Sequence, residues 1–160
     1  VESRAYFFGN MYLSSIQQGI QALHCTAEMF IKYADQNEPN YYSLREWASI
    51  SKTTVLLNAG YGDEIRDLIV LFSDPDCDYP WAEFYEEKAS LDGALTCVGI
   101  ILPGFIYEGA RLVREGLLSQ EELKYGAKVP IDKDGILSEV DINKWDYEFI
   151  LRLNNYGLAK

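Results

Sequence analysis

Apolar positions recur along the chain with both strand and helix periods, and the alternation of the two sets out the fold. Arg4 to Phe8 is a short aromatic-rich run that predicts a strand, closed by Gly9 and Asn10 as loop residues. Ser14 with Gln17 three residues later has the form of a capping box. Ile16, Ile20, Leu23, Ala27, Phe30 and Ala34 then recur at spacings of four, three, four, three and four, so the pattern predicts a long helix whose core face is that stripe. The polar segment Asp35 to Asn40 ends it. A shorter helix around Leu44, Trp47, Ala48 and Ile50 leads into a β-branched strand, Thr53 to Leu57. Gly60 to Gly62 reads as a turn, and Asp63 and Glu64 sit where a helix N-terminus favours acids, ahead of the face Ile65, Leu68, Ile69 and Phe72.

Asp74 to Pro80 holds two prolines and three aspartates and reads as a loop. Trp81 to Tyr85 predicts a short strand, and Ala94 to Leu102 a strongly apolar one that Pro103 stops, the two joined as a hairpin through Leu91 to Gly93. Helices are predicted over Tyr107 to Leu117 and Lys144 to Leu153, with Lys124 to Asp141 as a connector containing Gly126, Pro130 and Gly135. The fold class expected is α/β, a small mixed sheet with helices packed on it and a helical C-terminal extension. Residues 1–160 form one domain in this reading, with a core over 4–103 and the extension over 104–160.

Composition narrows the function classes. An apolar fraction of 48% in 160 residues excludes a disordered chain, and Ala94 to Tyr107, the longest uncharged apolar stretch, is too short for a membrane span. With 25 acidic against 14 basic residues the net charge is -11, which disfavours electrostatic binding to nucleic acid or to an anionic membrane. Cys25, Cys77 and Cys97 are odd in number, lack zinc-type spacing and follow no evident signal peptide, so they read as small hydrophobes or inert thiols and the cytoplasm as the expected location. No metal and no cofactor are implied. Gly60-Tyr61-Gly62 lacks the third glycine of a dinucleotide fingerprint, and Asp132-Lys133-Asp134-Gly135 lacks the terminal glutamate of a calcium loop, so both read as turns.

Two groups of side chains are candidates for function. Gln17, Gln21, His24 and Glu28 recur at four, three and four, a polar stripe flanking the apolar one. Such a row hydrogen-bonds a ligand and relays a proton if it borders a pocket, and is otherwise the polar flank of an ordinary helix. Asp74, Asp76, Asp78, Glu83, Glu86 and Glu87 occur with no Lys or Arg among them and with Tyr79, Trp81, Phe84 and Tyr85 interleaved. That run is either a solvated face or an acidic, aromatic surface, with Trp81 as anchor, that docks on a basic site of another protein.

The order of elements and several strings resemble the type-2 peptidyl-tRNA hydrolase family over about residues 4–103. Gln21-Ala22-Leu23-His24-Cys25 is similar to the family's helical Q-x-x-H-A, Leu44-Arg45-Glu46-Trp47 leading to Lys52 through Leu57 to its Trp-bearing helix and following strand, and Gly93-Ala94-Leu95-Thr96 to its G-T-x-T strand. The resemblance implies a peptide–tRNA ester as substrate, with His24, Thr96 and Gln17 in catalytic positions; the polar stripe Gln17, Gln21, His24 and Glu28 would then lie against the ligand by its spacing. It also shows departures: the family's helix lysine falls at Gln17 and its strand lysine at Asn58, while its aspartate has Glu83 or Glu86 as counterpart. Losing one oxyanion donor typically costs about 10²- to 10³-fold in rate. The expectation is therefore an acidic binding or inhibitory protein on a hydrolase-like fold, of a kind found in viruses and mobile elements, whose partner is a protein with a basic surface. An active esterase on peptidyl- or aminoacyl-tRNA is the alternative, and a protein that sequesters a small polar ligand a weaker one. A homodimer stays open, tRNA binding is disfavoured by charge, and no membrane association is expected.

Overall fold

The computed structural model describes residues 2–91, 93–124, 128–130, 137–139 and 142–158. It is a mixed α/β protein whose chain divides into two compact units, Arg4–Leu102 with Gly157–Lys160, and Val1–Ser3 with Pro103–Tyr156.

The first unit is built on a sheet. Strand β1 (Arg4–Gly9) is followed by α1 (Ser15–Lys32), α2 (Tyr41–Glu46), a π-helical turn (Trp47–Ser51) and β2 (Thr53–Asn58). Then come α3 (Gly62–Phe72), β3 (Trp81–Tyr85), the short α4 (Lys88–Leu91) and β4 (Leu95–Leu102). The strands lie in the order β3-β4-β1-β2, and β7 (Gly157–Leu158) adds an antiparallel fifth beside β2. β1 and β2 are parallel, as a helical crossover requires, whereas β4 runs antiparallel to both β1 and β3. Successive side chains of β1 point to opposite faces: Ala5 and Phe7 join the core under α1, while Phe8 meets Phe72 of α3 with ring centroids 6.0 Å apart. The helices therefore cover both faces of the sheet, and β4, caught between them, is buried along its whole length. β3 and β4 pair as expected, but a helical turn rather than a tight hairpin joins them.

The second unit is helical with one small ribbon. It contains α5 (Gly104–Arg114), α6 (Gln120–Lys124), β5 (Lys128–Pro130), β6 (Leu137–Glu139), which pairs antiparallel with β5, and α7 (Lys144–Leu153). The helix expected over Tyr107 to Leu117 starts earlier, because Pro103 in extended conformation leads straight into it. Gly109 lets α5 and α7 approach: a Cβ there would lie 3.0 Å from the Ile150 Cδ1. Asn143 caps α7, accepting from the Asp146 amide at 2.8 Å while Asp146 bonds back at 3.2 Å. The turn Asp132-Lys133-Asp134-Gly135 lies outside the described residues.

One expectation is overturned. The stripe assigned to the core of α1 faces outward, with Ile16 77%, Ile20 48% and Leu23 69% exposed, Ala27 and Ala34 exposed as well, and only Phe30 packed partly against the core. The buried face is Gln18, Gln21, Ala22, Cys25 and Met29. The reason lies in the sheet beneath. A Cβ on Gly99 of β4 would stand 2.6 Å from the Phe7 ring and 2.7 Å from the Met29 Cε, so the helix rests where a glycine leaves room. Small side chains, Ala22 and Cys25, permit that approach. The Cys25 thiol lies 2.9 Å from the Ala82 carbonyl, and the bulkier stripe does not fit the same space.

Candidate functional site

Helix α1 buries two amides at its N-terminal end, and these collect polar groups at the carboxyl ends of β1 and β2, the place where open α/β sheets usually bind ligands. Gln18 is 2% exposed, and its Nε2 donates to the Leu13 carbonyl at 3.0 Å and to Asn58 Oδ1 at 3.3 Å. Its Oε1 lies over Gly9, where a Cβ would come within 2.5 Å, so the glycine at the end of β1 is what admits this side chain. Asn10, the next residue, ties β1 to β4: its amide donates to the Thr96 carbonyl at 3.0 Å and its Nδ2 to the Leu95 carbonyl at 3.2 Å.

Gln21 joins the two strands that follow. Its Nε2 donates to Glu86 Oε2 at 2.9 Å, and its Oε1 accepts from the Thr96 hydroxyl at 3.0 Å. Thr96 owes its direction to a bulge: Phe84 pairs with Cys97 but Tyr85 with Leu95, which leaves Thr96 as the extra residue of β4. Its hydroxyl also lies 3.3 Å from the Phe84 carbonyl. Because the hydroxyl proton is directed to protein carbonyl oxygens, Thr96 meets an incoming group as an acceptor, not as a donor to an oxyanion.

Of the polar stripe read from the sequence, only Gln21 enters this network. Gln17 is exposed and completes the capping box, its Oε1 accepting from the Ser14 amide at 3.0 Å. His24 is exposed with its ring stacked 4.8 Å from that of Phe84, and Glu28 is exposed a turn further on. Of the expected grouping Gln17, Gln21, His24 and Glu28, the structure brings Gln21 alone together with the buried polar groups, which are Gln18, Asn10, Asn58, Thr96 and Glu86. The sequence held one signal for this: a glycine and an asparagine ending a strand, followed by adjacent glutamines in a helix start. Gln17 stood on the chosen stripe and Gln18 did not.

The acidic run does not form one patch. Asp74, Asp76 and Asp78 are exposed in the loop before β3, where Asp74 Oδ1 accepts from the Asp76 amide at 2.8 Å. Glu86 and the exposed Glu87 stand beyond the strand's other end, a separation of about 17 Å at the usual strand rise. Nor is the run without a counter-charge. Lys32 Nζ lies 3.5 Å from the centroid of the half-buried Trp81 ring and donates to the Trp81 carbonyl at 2.9 Å. Burial pulls the Lys32 ammonium below its ordinary range, and nearby Glu83 opposes that shift. Trp81 is also packed on Phe72 at 6.2 Å, so it belongs to the fold more than to a free surface. β3 is an edge strand, and carboxylates along such an edge discourage pairing with another chain.

Cys25 and Cys97 are buried and Cys77 half-buried, and burial pushes the Cys97 thiol well above its ordinary range. Among the described residues no cluster of metal-ligating side chains occurs, and no helix is long and apolar enough to cross a membrane. The chain matches no family model and no curated protein.

Proposed function

We propose that this chain is a non-catalytic binding protein on a sheet resembling that of the type-2 peptidyl-tRNA hydrolases, and that its partner is a protein with a basic surface. One observation carries the reading. The two positions where the resemblance calls for lysine hold neutral amides already used by the fold: Gln17 closes the cap of α1, and Asn58 accepts from the buried Gln18. Neither offers a positive charge to a phosphate or to a developing oxyanion, and the Thr96 proton is directed elsewhere. The net charge of -11 favours the same choice of partner, since it accelerates encounter with a basic surface and repels RNA.

The esterase is the second reading, favoured by the hydrogen-bonded series Glu86–Gln21–Thr96, which sets a carboxylate and a hydroxyl on one amide. A single assay separates the two. Purified chain mixed with peptidyl-tRNA is expected to release peptide no faster than buffer. The double variant Gln17→Lys with Asn58→Lys is expected to bind tRNA more tightly, with a salt dependence steeper by about one unit per restored phosphate contact. Rapid turnover by the wild type, lost in Thr96→Ala, would overturn the binding reading.

A further inference from the structure

We propose that Tyr33 and Lys32, at the C-terminal end of α1, form a plug that stands in for a neighbouring strand and keeps the open edge of β3 closed to strand addition by another copy of the chain. The device is independent of the binding-protein reading. β3 is five residues long and ends the sheet. The Ile101 amide donates to the Pro80 carbonyl at 2.9 Å, so that carbonyl turns toward β4, and the main-chain groups of the next residue, Trp81, turn to the open side. An added strand would place a carbonyl on the Trp81 N–H and an N–H on the Trp81 carbonyl. The Tyr33 hydroxyl supplies both: it accepts from the Trp81 amide at 3.1 Å and donates to the Trp81 carbonyl at 3.2 Å. Lys32 Nζ donates to the same carbonyl at 2.9 Å, which occupies its second lone pair.

Both side chains are held in place. Tyr33 is 7% exposed, and its own carbonyl accepts from Arg45 Nη1 at 3.0 Å, while that guanidinium lies 3.6 Å from the centroid of the Tyr41 ring. Lys32 is fixed by the Trp81 ring beneath its ammonium. Burial raises the Tyr33 phenol above its ordinary range, so the hydroxyl keeps the proton that the Trp81 carbonyl uses. The plug also stands where the edge has no other protection. Pro80 brings no N–H, Glu83, the next residue whose main chain turns outward, carries a charge, and the pairing of β3 with β4 is broken by a bulge between Phe84 and Tyr85. Trp81 has neither charge nor bulge, and as an aromatic residue it is the position of this edge best suited to pairing with another strand.

Two measurements test the plug. Tyr33→Phe keeps the ring and removes only the hydroxyl, so hydrogen exchange followed by NMR is expected to show the Trp81 amide exchanging about tenfold faster than in the wild type. Sedimentation then separates the plug from the charge. Glu83→Thr alone is expected to sediment as the wild type does, because Trp81 stays covered. Lys32→Met with Tyr33→Phe in the Glu83→Thr background uncovers the edge and is expected to form larger species. Gly99→Ala in the same Glu83→Thr background strains the core without uncovering the edge, and is expected to sediment as the wild type does. A Trp81 amide that exchanges no faster in Tyr33→Phe would overturn the proposal. So would wild-type sedimentation of the uncovered variant, or larger species formed to the same extent by Glu83→Thr alone or by the Gly99→Ala control.

Discussion

Helices α1 and α3 lie on opposite faces of one sheet, and they obey different rules. In α3, of the four residues that the apolar period selects, Ile65, Leu68 and Phe72 are buried and Ile69 is partly so. In α1 the selected stripe is exposed, and a face carrying two glutamines is buried in its place. The sheet beneath accounts for the difference. On the α3 side the strands offer large side chains, among them Phe8, and a large apolar helix face fills the remaining volume. On the α1 side Gly99 opens a shallow bed, which only small or flexible side chains enter, and the strand ends supply carbonyls, hydroxyls and a carboxylate that satisfy Gln18 Nε2 and both ends of the Gln21 amide. A helix is placed by what its bed accepts as well as by its own hydrophobicity.

Opposite substitutions on the two faces test that contrast. On the α3 side removal of volume should hurt most. Phe72, 1% exposed and packed between Phe8 and Trp81, is expected to cost about 3–5 kcal/mol as Phe72→Ala, read from urea unfolding. On the α1 side addition of volume should hurt. Gly99→Ala places a methyl group against the Phe7 ring and Met29, with an expected cost of about 1–3 kcal/mol and a lower thermal midpoint. If Gly99→Ala proves neutral, the bed is not tight, and the account of why the bulky stripe turns outward fails with it.

The legible and illegible parts of the fold divide along the same line. Wherever one period served one face, the sequence sufficed: β1, β2, β3 and β4 stand close to where alternation and β-branching put them, and the Ser14–Gln17 box caps α1 as its residue types imply. α1 itself carries two overlapping stripes, and bulk selected the wrong one. Gly99 inside an apolar strand was the available hint, since a strand glycine often marks a close approach. The site was legible only at Gln21 and Thr96. Gln18 enters it because of Gly9, and Glu86 because a bulge redirects Thr96 toward Gln21; register and bulges are set by pairing between distant segments, which a local reading does not reach. The layout of the acidic run was illegible for a related reason: a strand sets its two halves apart, and Lys32, some fifty residues away, lies on the Trp81 ring between them.

The smallest expected effect is the most discriminating one, because it asks whether the outer stripe of α1 contributes to the fold of a single chain. Leu23 is 69% exposed, so within one chain Leu23→Ser removes little buried area and replaces a good helix former with a slightly poorer one. At dilutions where the chain sediments as a monomer, the change in unfolding free energy should stay within about 0.5 kcal/mol, the usual range for surface positions. Dilution matters, because any association through this face would add a concentration-dependent stability that the substitution also removes. Two residues along, Cys25 is fully buried with its thiol on the Ala82 carbonyl, and Cys25→Leu would have to enlarge a side chain in the bed that Gly99 keeps open. A Leu23→Ser monomer that unfolds as readily as a core variant would mean that the stripe is core after all, and that α1 and α3 follow one rule.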